Sequence, residues 1–206
     1  GFRVVEFANL VFREFDIQES VRPVLEALAV RLQVNAHLGI LHGVTALHLY
    51  REIGAEAVVV GEIVGWQAPA YCTALGKSLL AQLEPARRED LLRTDALVAH
   101  TSQTTTEVTA LIQETERIAA SGVAISLEEY HEGIVGIAAP VRDAAGDACC
   151  AVSISVTRAR FDREESDLVE AVKQAACDIS DKLHERGITV AMLDQTKPRA
   201  QSRANK

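Results

Sequence analysis

The run Pro69-Ala70-Tyr71-Cys72-Thr73-Ala74-Leu75-Gly76-Lys77 leads from a loop into an amphipathic helix, with small residues where the helix begins. Thr73 suits the N-cap, and Leu75, Leu79, Leu80 and Leu83 form one apolar stripe. The first N–H groups of a helix have no internal acceptor, and small side chains leave them open to an anion such as a carboxylate. Further along, Ala148–Thr157 reads as a strand with Val152, Ile154 and Val156 on one face and Ala151, Ser153 and Ser155 on the other. Such a hydroxyl face either donates to the oxygens of a ligand or meets solvent, and alternation alone leaves both open. Gly136, inside a neighbouring strand, marks a bulge or a close approach by another group.

Groups suited to catalysis are sparser. Glu128, Glu129 and His131 form the most charged cluster, but adjacent glutamates at a strand end ordinarily form a solvated loop. The histidines (His37, His42, His48, His100, His131 and His184) show no i, i+4 pair and no His-Glu-x-x-His motif. His37 and His48 can face each other across a hairpin, where a structural pairing is favoured over a metal site that would need a third ligand. Cys72, Cys149, Cys150 and Cys177 fit no Cys-x-x-Cys spacing, and the adjacent pair is expected to point to opposite faces of its strand. Packed, reduced thiols in a cytoplasmic protein are the expectation. With no Gly-x-Ser-x-Gly elbow, Walker loop or dinucleotide fingerprint, neither a cofactor nor an enzyme is expected.

The elements that must hold these groups can be read from periodicity. Residues 2–14 look helical with a broad apolar surface, and a second helix is expected over about Ile17–Arg31, with Pro23 tolerable only if it starts near Ser20. Asn35–Leu41 and Thr45–Arg51 flank a His42-Gly43 turn, and Val58–Val60 and Ile63–Val64 are further strand candidates. After the Thr73 helix, Ala86–Arg93 is a short helix, and Thr104–Glu107 reads as a capping box opening a helix that ends at Ser121-Gly122. Strands Val123–Leu127, Ile134–Arg142 and Ala148–Thr157 follow, the last two joined by a turn at Asp143–Asp147. Asp162–Glu165 then caps a long helix ending at Gly187, and a polar, basic tail follows. Strands in two clusters separated by helices favour an α+β domain, with an antiparallel sheet flanked by helices.

Composition narrows the function further. The 206 residues carry a formal charge of −8, which argues against a chain that grips a nucleic-acid backbone by itself. The longest apolar runs are too short to span a bilayer.

Together these segments resemble the effector-binding domain of the IclR family of bacterial transcriptional regulators. Four stretches carry the likeness: Pro69 with Thr73–Lys77, Gly122-Val123-Ala124 before Glu128-Glu129, Gly133–Val141, and Ala151–Ser155. Val21–Ala29 looks like the helix after the family's linker. The resemblance implies a GAF-like or profilin-like α+β fold, a small organic acid as effector, and allosteric control of DNA binding through a winged helix that these residues do not include. It divides the chain into a linker helix over 1–15, an effector-binding domain over 16–190 and a flexible basic tail over 191–206. It places the carboxylate against the backbone of Ala74 and Leu75, with Ser153 and Ser155 as hydroxyl contacts and Ala68, Ser126, Ile134 and Gly136 as lining, and the capping Thr73 is counted with the site. Tyr71 stands where many members have His. Gly136 and Ala68 are smaller than their counterparts in a glyoxylate sensor, so a roomier cavity and a larger, aromatic acid are expected. Homodimers or homotetramers are implied as well, with no membrane partner. The alternative is a small-molecule enzyme of GAF-like fold using Glu128, Glu129 or Cys149.

Overall fold

The computed structural model describes residues 17–55, 57–58, 64–94 and 96–189. The expected linker helix over 1–15, the tail over 191–206 and most of the strand candidate around Val58–Val64 lie outside them. Helix α1 (Ile17–Leu32) opens the described chain, followed by a hairpin of β1 (Asn35–His42) and β2 (Thr45–Ile53) and a short β3 (Gln67–Pro69). A 3₁₀ turn over Ala70–Cys72 leads into α2 (Ala74–Leu80), then α3 (Pro85–Thr94) and α4 (Val108–Ser121). The meander β4 (Ala124–Leu127), β5 (Ile134–Arg142) and β6 (Ala148–Thr157) feeds the long α5 (Arg158–Glu185). The fold is α+β, as expected.

The strands form one antiparallel sheet in the order β3-β2-β1-β6-β5-β4. The two hairpins meet where β1 pairs with β6, setting His37 opposite Ser153 and Asn35 opposite Ser155. One face carries the main core. There Val152, Ile154 and Val156 of β6 pack with Val135, Ile137 and Val141 of β5 against Leu25 and Leu28 of α1 and Leu168, Val172, Ile179 and Leu183 of α5. The other face is built of small residues. Ala46, Ala138 and Ala151 receive Ala74, Leu75 and Leu79 of α2, which therefore lies close to the sheet.

That close approach depends on positions without side chains. A Cβ on Gly136 would come to 3.1 Å from the Ala74 Cβ, and one on Gly39 to 2.8 Å from Leu75. A Cβ on Gly76 would collide with the Ala70 backbone, which cannot swing aside as a side chain can. Gly136 thus marks a close approach, and what approaches is the start of α2.

Several boundaries differ from expectation for identifiable reasons. Pro23 lies inside α1, which starts at Ile17 rather than near Ser20, so the helix forgoes one internal hydrogen bond. Thr104 does not cap α4, whose N-cap is Glu107 with no side-chain bond. Its hydroxyl instead accepts from the His100 and Thr101 N–H groups (2.9 Å each) and donates to the Glu129 carbonyl (2.6 Å). Helix α5 is capped by Thr157, which accepts from Arg160 N, and the expected start at Asp162–Glu165 is a kink at Glu164 (φ −126°, ψ 16°). Cys149 and Cys150 do not point apart. A register shift between Val141 and Arg142 breaks the alternation of β6 there, and the two sulfurs lie 3.7 Å apart.

Gly76→Ala is expected to lower the unfolding free energy by about 3 kcal/mol, the upper end of the usual cost of overpacking. Urea unfolding measures it. A loss within about 0.5 kcal/mol, the scatter of innocuous substitutions, would contradict the close contact.

Candidate functional site

A cavity of about 50 Å³ lies between the start of α2, the small-residue face of the sheet and the loop joining β4 to β5. That volume holds roughly three to five water-sized groups. Thr73, Ala74 and Leu75 line it from α2, Ser126 from β4, Ile134 and Gly136 from β5, and Ser153 and Ser155 from β6. The structure thus gathers eight of the nine expected site residues around one space. Ala68 stands apart, fully buried on β3 opposite Ala46 and not among the lining residues. Ala68 is elsewhere and does not bear on the cavity, and a Cβ on Gly136 would first meet Ala74 at 3.1 Å.

Local geometry shows which polar groups are already committed. The Thr73 hydroxyl accepts from Gly76 N (3.3 Å) and donates to the Pro69 carbonyl (3.0 Å), fixing the entry to α2. Ser126 donates to the Cys72 carbonyl (2.9 Å), tying β4 to the same turn. The N–H groups of Ala74 and Leu75 belong to the first turn and have no intrahelical acceptor. With the Ser153 and Ser155 hydroxyls they form the donor-rich wall of the cavity, and no carboxylate lines it.

Five further lining residues stand outside that set: His48, Cys72, Tyr130, His131 and Ile154. Tyr130 and His131 sit on the β4–β5 loop, which is held from several sides. Gly133 N donates to the Glu128 carboxylate (2.8 Å), and Thr101 donates to the Glu128 carbonyl (2.7 Å). A row of rings runs along it, with Tyr130 at 4.5 Å from His131 and 5.7 Å from Trp66, and Trp66 at 5.3 Å from His48. His48 in turn meets His37, Nδ1 to Nδ1 at 3.3 Å. Among the described residues, no group of three or more His, Cys, Asp or Glu side chains could hold a metal ion.

Tyr71 points away from the cavity. It is buried, and its hydroxyl donates to the Val98 carbonyl (2.8 Å) and accepts from the Val98 N–H (2.9 Å).

Beneath α2 the chain buries a charge network. Lys77 is 1% exposed, and its Nζ donates to Glu129 (2.5 Å) and Glu114 (2.7 Å). Burial pushes the Glu129 carboxyl above its ordinary value, against the opposing pull of Lys77. Burial, then the Glu129 charge, pushes the Cys72 thiol up to about 12, which removes it as a nucleophile at neutral pH.

Residues 10–181 match the family described as the C-terminal part of the bacterial transcriptional regulator IclR. The chain belongs to that family. The HTH-type transcriptional regulator BhcR of Paracoccus denitrificans is 32% identical over 169 residues, which are 82% of this chain and 61% of that regulator. The chain therefore spans less than two thirds of that relative's length. The crystal structure of the Thermotoga maritima IclR is similar at a TM-score of 0.81 and 27% identity, covering 89% of this chain and 75% of that one. An IclR homologue from Microbacterium hydrocarbonoxydans, solved with 4-hydroxybenzoate, shares the fold at a TM-score of 0.79 and 24% identity, over 90% of this chain and 75% of its own.

These family relatives are named as regulators, not enzymes, and the three groups considered for catalysis do not converge on the cavity. Glu129 is held by Lys77, Glu128 clasps Gly133 and faces Arg158 at 3.4 Å, and Cys149 packs with the main core on the opposite face of the sheet. No helix among the described residues is long and apolar enough to cross a membrane.

Removing one partner of a buried pair leaves the other charge stranded, so Lys77→Met is expected to cost about 3–5 kcal/mol at neutral pH. A carboxyl whose folded value is raised contributes stability that is fully present below its unfolded value and lost as pH rises through the folded one. The stability of the wild type relative to Glu129→Gln is therefore expected to be greatest below about pH 4.5 and to fall above it. Urea unfolding of both proteins across this range checks the sign; a difference that grows with pH would contradict it.

Proposed function

We propose that residues 16–190 form the effector-sensing domain of a transcriptional regulator, and that the cavity beside α2 binds a compact organic acid. The observation that carries this reading is the composition of the cavity wall. Two β6 hydroxyls and two first-turn N–H groups converge on a small space that no carboxylate lines. Hydrogen bonds to an ionised group are among the stronger ones available, and a partly enclosed space weakens them less than bulk water does. Family membership supports the regulatory role, and the likeness to the 4-hydroxybenzoate complex supports a ligand site in this fold. The cavity volume favours two- to four-carbon acids over aromatic ones.

The acid acts by preferring one arrangement of the protein over another, which shifts their populations and moves DNA-binding heads outside these residues. A linker helix over 1–15, a basic tail over 191–206, assembly into homodimers or homotetramers and a cytoplasmic location belong to the same proposal. DNA is contacted only through the attached heads, as befits the charge of −8 on this chain. The domain itself turns nothing over.

Ser155→Ala is expected to weaken binding of a two- to four-carbon acid by about tenfold to a hundredfold, the worth of a hydrogen bond to a charged group. Isothermal titration calorimetry measures the loss, and an unchanged unfolding midpoint shows that the fold is intact. Absence of saturable binding by any such acid would overturn the sensing role, as would its consumption by the protein. Tighter binding of 4-hydroxybenzoate would overturn only the preference for compact acids.

A further inference from the structure

We infer that Cys149 and Cys150 form a two-point covalent site for a trivalent arsenical, on the face of the sheet opposite the cavity beside α2. Neither cysteine lines that cavity, and both pack with the main core, so the site does not rest on the acid-sensing role. A regular strand forbids the spacing of these two sulfurs. Neighbouring side chains of a strand point to opposite faces, yet the Sγ atoms lie 3.7 Å apart. The cause is a bulge in β6. Val141 pairs with Cys150 and Arg142 with Ala148, which leaves Cys149 without a partner on β5 and brings its sulfur beside that of Cys150. Both thiols are free.

The surroundings hold the pair at this spacing. Cys150 is buried in the main core, whereas Cys149 is half-buried and donates to the Val141 carbonyl (3.6 Å). The turn between β5 and β6 is tied to itself, since the Asp143 carboxylate accepts from Ala145 N (2.9 Å) and Asp147 N (3.0 Å). Arg142 N donates to the Ser180 hydroxyl of α5 (2.9 Å), which anchors the bulge from the other side. The pairing of β6 with β1 ends at Ala151, so β5 alone holds the two cysteines in the sheet. Thiols already side by side lose little freedom when one atom joins them.

Distances and ligand counts decide what joins them. A disulfide needs sulfurs about 2.0 Å apart and Cα atoms usually about 4.4–6.8 Å apart, whereas neighbouring Cα atoms lie only about 3.8 Å apart, so that bond is strained. One soft atom with bonds of about 2.3 Å to each sulfur holds them about 3.3–3.8 Å apart, which brackets the observed 3.7 Å. Zinc asks for three or four protein ligands, and among the described residues no group of three His, Cys, Asp or Glu side chains could hold an ion. Metal binding also requires thiolates, while the hydrogen bond from Cys149 and burial push the Cys150 thiol well above its ordinary value. Trivalent arsenic needs two sulfurs and keeps its third substituent, and it reacts with protonated thiols. Two S–As bonds form, two As–OH bonds break, and each thiol proton leaves with a hydroxyl as water. Arsenic stays trivalent, so no oxidant or reductant enters. The half-buried Cys149 is attacked first, and Cys150 closes the ring.

Phenylarsine oxide is the probe, added to the whole folded chain after reduction with a phosphine. Intact mass spectrometry is expected to show one adduct, heavier by the reagent less one water. Tryptic digestion is expected to place it on peptide 143–158, which holds both cysteines and neither Cys72 nor Cys177. Attachment at two points makes the second bond intramolecular, so stripping the wild-type adduct is expected to need about a hundredfold more β-mercaptoethanol than stripping that of Cys149→Ala or Cys150→Ala. Cys177→Ala, which removes the exposed thiol, is expected to leave the adduct intact. Should Cys150→Ala fail to fold, Cys149→Ala and the peptide assignment still decide the matter. An excess of arsenite is expected to block the phenyl adduct and an equal excess of zinc to leave it; protection by zinc and not by arsenite would overturn the choice of element. No adduct, an adduct on another peptide, or stripping from Cys149→Ala as hard as from the wild type would overturn the site itself.

Discussion

The closeness of α2 to the sheet is the constraint on which the rest of the structure depends. A helix rests on a sheet at a distance set by the side chains between them, and here those are nearly absent. Gly39, Gly136 and the alanines at 46, 138 and 151 make a shallow face, and Gly76 lets the helix press on the 3₁₀ turn before it. Two consequences follow from that single fact. First-turn N–H groups are brought beside the β6 hydroxyls, which is how a cavity only a few atoms wide acquires donors on two sides. The same approach sinks Lys77 beneath the helix, where a flexible cationic side chain would otherwise reach solvent.

A buried lysine must be paired, and the partners it finds shape the other wall of the cavity. Glu129 sits at the root of the β4–β5 loop, so the ion pair joins α2 to the loop that carries Tyr130 and His131. A pair of this kind adds little net stability compared with apolar residues of the same size, since both charges have lost their hydration. What it supplies is geometry, because only one placement of the loop satisfies both charges. Thr104 and Thr101 bind the same loop from outside through the carbonyls of Glu129 and Glu128. Helix, loop and sheet are thereby held in a fixed relation around the cavity.

Much of this was legible in the sequence, and the failures share a cause. The main strands, both hairpin turns and the apolar stripes of α2 and α5 follow from alternation and helical spacing, which are local signals. So was the hydroxyl face of β6. The misreadings fall where a distant group captured a local motif. Thr104 has the spacing of a cap but was taken by the Glu129 carbonyl, and Thr157, reading as the end of a strand, caps α5. Glu129 looks like a solvated loop residue until the buried lysine, far away in sequence, is placed beside it. Gly136 announced a close approach but not its occupant, the start of α2. His48 and His131 stood out only as part of a histidine pair and a charged cluster, and Tyr130 not at all, since separate strands and loops bring all three to the cavity.

The same arrangement bears on how a bound acid could be felt elsewhere. A ligand shifts an equilibrium only by its difference in affinity between two states, so the parts that it contacts must be able to separate. In the proposed role the acid bridges three such parts: the start of α2, the centre of the sheet and the β4–β5 loop. The sheet is the least able to yield, because its far face is sealed by α1 and α5. That leaves α2 and the loop, which Lys77 and Glu129 oblige to move together. Arg158 extends this unit outward, as its N–H binds Gly133 and its guanidinium faces Glu128 at the start of α5. Helix α5 packs along α1, the first described element after the proposed linker. A few kcal/mol of preference at the cavity would have a short, continuous route to that helix, and the ion pair at Lys77 would be its first link.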